Sequence, residues 1–164
     1  MNALKRGVSR LTALRLLLVA VVGFSPPAFS ADEAPGTGKW RVVNYWSEWC
    51  APCRIEIPML NALSLELAAH GVAVVGVNFD EDPRALTLEI AEELEIKFPV
   101  LTSEEVARLG LRPPDVLPTT YLLSPDGEAV AKLIGMQTNA EIRKQLLMKG
   151  ALLDAAKDKR IDSD

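Results

Sequence analysis

The chain has 164 residues, 49% of them hydrophobic, with 18 basic against 22 acidic side chains, a formal charge of −4 and a mean hydropathy of +0.14. That length suits one domain, and part of the hydropathy comes from the N-terminus alone. Residues 1–30 carry four basic and no acidic side chains, which leaves 14 basic against 22 acidic in the rest. A balance near −8 argues against nucleic acid, anionic lipid and polyanions as partners or ligands.

In chain order, Lys5, Arg6, Arg10 and Arg15 precede an apolar run over residues 16–24, and Ala28-Phe29-Ser30 offers small residues before a cleavage point. This is the pattern of a secretory signal peptide over residues 1–30, cut after Ser30. The run is shorter than the about 20 apolar residues a membrane span needs, and Pro26-Pro27 ends it; an uncleaved membrane anchor is the alternative. No cysteine follows the run, so a lipid-modified N-terminal cysteine is excluded. The address is the periplasm or another extracytoplasmic space, where disulfides persist.

Residues 31–38, with Pro35, Gly36 and Gly38, read as a linker, and residues 39–154 as the folded domain. Trp40–Trp46 has strand composition with adjacent apolar residues, so it is largely buried. It delivers Ser47-Glu48-Trp49-Cys50-Ala51-Pro52-Cys53, which holds both cysteines of the chain. A helix over residues 50–69 then carries Ile57, Leu60, Leu63 and Leu67 at helical spacing, with Gly71 ending it and Pro58 predicting a kink. Cysteines three apart at a helix start have Cα atoms about 5 to 5.5 Å apart, within disulfide range.

The helix-start N–H groups and macrodipole favour an anion, so Cys50 is the predicted thiolate and attacking group, with Cys53 deeper and resolving. Pro52 fits the first turn, where a missing N–H costs little. A zinc site lacks ligands, because His70 is the one histidine, read simply as a surface residue at a helix end. Haem attachment needs histidine where Arg54 stands. A purely structural bridge over so short a loop would restrain the unfolded chain little. No metal and no cofactor is expected.

Val72–Asn78 reads as a central parallel strand. Asp80 to Asp82 can cap a helix with Pro83 in its first turn and Leu86, Ile90 and Leu94 on one face, completing a βαβα half of an α/β fold. Phe98-Pro99-Val100-Leu101 is a short extended piece, and Ser103 caps a helical excursion to Leu109. Thr119–Leu123 and Ala129–Ile134 flank Ser124-Pro125-Asp126-Gly127 and form an antiparallel hairpin. Asn139 caps a last helix carrying Ile142, Leu146 and Leu147, and residues 155–164 are a charged tail.

Several of these stretches together resemble a family. The motif from Asn44 through Pro58, then Val77-Asn78-Phe79-Asp80, Leu117-Pro118-Thr119-Thr120-Tyr121 and Ser124-Pro125-Asp126-Gly127, are similar to the extracytoplasmic thioredoxin-like oxidoreductases of the TlpA/ResA type, over residues 39–153. The resemblance implies a thioredoxin-like fold, a central mixed β-sheet flanked by helices. It also implies a cis bond at Pro118 facing the two cysteines, with the Leu117 backbone free to pair with an extended substrate; from sequence alone Pro118 is a proline tolerated at a strand start. Trp46 and Trp49 shape and rim the site rather than do chemistry, or lie in the core, with the rim favoured for Trp49.

Glu56 lies on the helical stripe of Cys53, Leu60, Leu63 and Leu67, so burial would raise its pKa and let it pass protons to or from Cys53. An exposed glutamate serving the helix dipole is the alternative. Where cytoplasmic thioredoxins carry a buried acid on the entering strand, Asn44 stands here and cannot titrate. Arg112-Pro113-Pro114-Asp115-Val116 before Leu117 is bulkier than the family's usual approach.

Together these features imply an enzyme: a thiol–disulfide oxidoreductase that reduces protein disulfides, with electrons from a membrane partner. Apocytochrome c and copper-site proteins are candidate substrates, and the protein is expected to be a monomer. Its alternatives are a protein disulfide oxidase, and a peptide-binding or chaperone module that keeps the cysteines without redox turnover.

Overall fold

A computed structural model describes residues 34–152; the predicted signal peptide over 1–30, the start of the linker and the tail over 155–164 lie outside the described residues. The elements are β1 (Trp40–Trp46), α1 (Ala51–Ala68), β2 (Val72–Asn78), α2 (Arg84–Glu93), α3 (Ser103–Leu109), β3 (Thr119–Leu123), β4 (Ala129–Ile134) and α4 (Asn139–Met148). The four strands and the hairpin lie where their composition places them. No helix among the described residues is long and apolar enough to cross a membrane.

The strands form a mixed sheet in the order β2-β1-β3-β4. β1 runs parallel to β2 and antiparallel to β3, and β3 runs antiparallel to β4. β2 is therefore not central, as its unbroken apolar run suggests, but the end strand of this order. Its outer edge is covered by the predicted extended piece: Gly76 donates to Pro99 O at 2.8 Å and accepts from Leu101 N at 2.9 Å. Covering both faces, and the edge at Gly76, is why β2 reads as if it were interior.

Alternation along β1 divides its side chains between two cores. Val42, with Leu122 of β3, meets Leu60, Leu63 and Leu67 of α1 and Ile142 and Leu146 of α4. Val43 and Tyr45 meet Val75, Val77 and Tyr121, closed over by Leu101, Val106 and Leu109. α1 buries Cys53, Glu56, Ile57, Leu60, Leu63 and Leu67, the stripe its spacing predicts. The helix continues through Pro58 without interruption; Arg54, whose carbonyl that proline leaves without a helical donor, is exposed, so the carbonyl can be met by water.

The helix starts depart from expectation. Thr102, not Ser103, caps α3, and Thr138, not Asn139, caps α4; each pairs reciprocally with a glutamate three residues on, Glu105 and Glu141. In each case the residue one place earlier has the extended backbone a cap requires, which the residue types alone do not distinguish. α2 has no side-chain cap, because Pro83 stands at the cap position and not in the first turn and has no acceptor to offer, while Asp80 and Asp82 are bonded elsewhere. Leu86 and Leu147 are exposed, whereas Thr87 is buried and bonded to Asp82 O at 3.0 Å.

Candidate functional site

β1 ends at Trp46, and the chain turns through Ser47-Glu48-Trp49, where Cys50 N donates to Ser47 O at 3.2 Å. Cys50 is the N-cap of α1 with extended backbone, Pro52 lies in the first turn, and no acidic residue competes there. In its cap position the Cys50 sulfur accepts from Cys53 N at 3.3 Å, taking the place of the oxygen that usually caps a helix. The two cysteines form a disulfide with Cα atoms 5.3 Å apart, in the predicted range.

Behind the disulfide lies an apolar cluster of Trp46, Ile90, Ala91 and Val100, with Leu117 packed against it. Trp46 is wholly buried in this cluster. It is core, one of the two places its sequence leaves open. Trp49 is the opposite case: 68% exposed, yet held by a bond from its Nε1 to Asp80 Oδ1 at 2.9 Å. Asp80 Oδ2 also accepts from Ser47 Oγ at 2.5 Å, so this carboxylate, read from sequence as a helix cap, fastens the loop before the cysteines.

The Leu117–Pro118 peptide bond is cis. Pro118 is buried and its carbonyl accepts from Gly135 N at 2.9 Å. The β1–β3 ladder stops at Thr119, and Leu117 makes no backbone hydrogen bond among the described residues. Its N–H and carbonyl are thus open beside the disulfide cluster. Cys50, Cys53 and Leu117 are brought together, with Pro118 next to Leu117 in the chain, and Trp49 precedes Cys50 and is bonded to Asp80.

Glu56 is only 2% exposed, one turn beyond Cys53 on the buried stripe. Its Oε1 accepts from Asn44 Nδ2 at 2.6 Å and its Oε2 from Gln137 N at 3.1 Å. Burial pushes its carboxyl above the usual carboxylate range, and the bonds from Gln137 and Asn44 pull back only in part. Gln137 carried no sequence signal, because it reaches Glu56 from 81 positions away.

This raised value has a sign. The folded chain holds the Glu56 proton more tightly than the unfolded one, so the associated stability is complete below the ordinary value of 4.5 and is lost as pH rises through the folded value. In urea denaturation of the oxidised protein, Glu56→Gln should gain on wild type as pH rises from 4.5 to the folded value and hold a constant advantage above it. A pH-independent difference between the two would contradict a buried, proton-holding carboxyl.

A mixed four-stranded sheet, a disulfide at the start of the first helix and a cis-proline just before the third strand define a thioredoxin-like protein of the thiol–disulfide class. The chain belongs to the AhpC/TSA family, whose pattern matches residues 27–132. It is 32% identical over 133 residues to the thiol-disulfide oxidoreductase ResA of Bacillus cereus, spanning 76% of each protein. Among solved structures it is similar to a secreted thiol-disulfide isomerase from Corynebacterium glutamicum, with a TM-score of 0.53 at 28% identity over 65% of this chain and 67% of that one. StoA from Bacillus subtilis shares the fold, with a TM-score of 0.55 at 22% identity over 67% of this chain and 84% of that one.

Proposed function

We propose that this protein is an extracytoplasmic thiol–disulfide oxidoreductase that reduces disulfides of particular proteins. The observation that carries the reading is the Cys50–Cys53 pair at the α1 start beside the unpaired backbone of Leu117. An extended polypeptide can add to that backbone as a strand, placing its own disulfide against Cys50, with Trp49 as an exposed aromatic wall. The reducing direction follows the resemblance to the TlpA/ResA type.

Reduced Cys50, as thiolate, attacks one sulfur of the partner's disulfide; a mixed disulfide forms and the partner's other sulfur leaves as a thiolate. Cys53 then gives up its proton to Glu56 and attacks the Cys50 sulfur. The second partner thiolate leaves and the Cys50–Cys53 disulfide closes. Two electrons have passed to the partner, which takes up two protons. A dithiol donor at the membrane must restore the reduced pair. Residues 1–30 act as the leader that carries the chain across the membrane, and apocytochrome c and copper-site proteins are the candidate partners.

Equilibrating the protein in glutathione buffers tests the direction. The pair should sit nearer the about −270 mV of cytoplasmic thioredoxin than the about −120 mV of a periplasmic oxidant; a value near the latter would make the protein an oxidase. Trp49→Ala should leave the urea midpoint nearly unchanged, since the indole is mostly exposed. It should weaken capture of an extended disulfide-bearing peptide about thirtyfold, the loss of an aromatic anchor worth about 2 kcal/mol. Unchanged capture would remove Trp49 from the binding surface.

A further inference from the structure

We infer that Asn44 is a positioning residue whose carboxamide reverses to offer Glu56 either a donor or an acceptor, so that the carboxyl can take up and release its proton without moving. This rests on the reading of Glu56 as the proton carrier for Cys53. Asn44 is wholly buried in β1, in register with Thr120 of β3. Its Nδ2 donates to both Glu56 Oε1, at 2.6 Å, and Thr120 Oγ1, at 3.1 Å. Its Oδ1, equally buried, has no partner. A buried carboxamide oxygen left unpaired needs a reason.

The reason lies in which atoms can change role. Glu56 Oε2 faces the Gln137 backbone N–H, a donor in every protonation state. A proton on the carboxyl therefore belongs on Oε1, where it points at Asn44. With Nδ2 facing it, that arrangement sets donor against donor. Turning the carboxamide by 180° exchanges two atoms of nearly equal size and puts Oδ1 there instead.

Oδ1 then accepts from the carboxyl O–H and from the Thr120 hydroxyl, which can rotate to donate. Each orientation keeps two hydrogen bonds and leaves one end of the amide unpaired. The 2.6 Å separation is short for N–H···O and ordinary for O–H···O, so the neutral acid fits the same spacing. Aspartate at 44 would compete for the proton, and an aliphatic residue would pair with neither state.

The surroundings favour a neutral exchange. Glu56 meets Asn44 from β1 and the Gln137 N–H from the loop before α4; Thr120 reaches it only through Asn44, and Cys53 shares the buried face of its helix. None of the groups that shift the Glu56 carboxyl is charged. Cys53 is the one other titratable group on that face, and it does not titrate while it is in the disulfide.

The experiment is NMR on isotope-labelled oxidised protein, following the Glu56 carboxyl carbon and the Asn44 side-chain NH2 across pH. The two should titrate with one midpoint, and the nuclear Overhauser contacts from the Asn44 NH2 to Thr120 should be present above it and lost below it. An Asn44 NH2 whose shifts and contacts ignore the Glu56 titration overturns the inference. In Asn44→Asp the Glu56 midpoint should rise by about one unit or more, because two carboxyls share one proton; in Glu56→Gln the Asn44 response to pH should vanish. Alkylation of the reduced protein separates the two readings: a thiol pH profile identical in wild type and Asn44→Asp would remove Glu56 as the proton carrier while leaving the amide reversal as measured.

Discussion

Cys53→Ser is expected to accumulate a disulfide-linked adduct with the protein's partner through Cys50, while Cys50→Ser forms none and loses reductase turnover at least about a thousandfold. The asymmetry comes from position and not from residue type. Cys50 caps α1 and its sulfur already accepts a helix N–H, the arrangement that stabilises a thiolate. Cys53 faces inward on the stripe with Glu56 and Leu60, where it can reach Cys50 but not an incoming chain. With Cys53 absent, the mixed disulfide has no resolving thiol and persists. Electrophoresis without reductant reads the adduct, and its identity names the partner. If Cys50→Ser keeps both partner binding and biological effect, the protein is a binding module and not an enzyme.

Gly76→Ala is expected to destabilise the fold by about 1 to 3 kcal/mol, a large effect for one methyl group, through overpacking. A Cβ at Gly76 would lie 2.8 Å from Trp46 Nε1 and 2.9 Å from Phe98 Cε2. Neither ring has room to withdraw. Trp46 is wholly buried, Phe98 nearly so, and the Gly76 backbone is bonded on its outer side to Pro99 and Leu101. Because Trp46 packs in the same cluster as Cys50 and Cys53, the displaced indole should also disturb the disulfide, seen as a change in thiol alkylation rate alongside the shift in urea midpoint. Stability within about 0.5 kcal/mol of wild type, the range of neutral surface changes, would show that the strand can absorb the methyl group.

Much of the architecture was legible because short-range chemistry decides it. Strand composition at Trp40–Trp46, Val72–Asn78, Thr119–Leu123 and Ala129–Ile134 gave the strand bounds, and the spacing of Leu60, Leu63 and Leu67 gave the buried face of α1. The disulfide span followed from helix geometry and a separation of three. Cap assignments slipped by one residue at Thr102 and Thr138, since neighbouring Ser, Thr and Asn differ little as caps until the backbone chooses one. Asp80 departs from its expected cap role for a similar reason: a carboxylate before a helix suits the helix N-terminus, but here it accepts from a tryptophan 31 residues away.

What the amino-acid sequence determines by itself is the presence of two thiols at a helix start, a carboxyl on the inner face of that helix and a sheet to bury it. All of these depend on residues close together in the chain. Only the tertiary structure decides that Trp46 is core and Trp49 surface, that β2 lies at the end of the sheet's order, and that Asn44, itself bonded to Thr120, and the Gln137 N–H converge on Glu56. Those outcomes depend on partners up to 81 positions apart, brought together by strand register and by burial of the two cores, and no local preference encodes such a meeting.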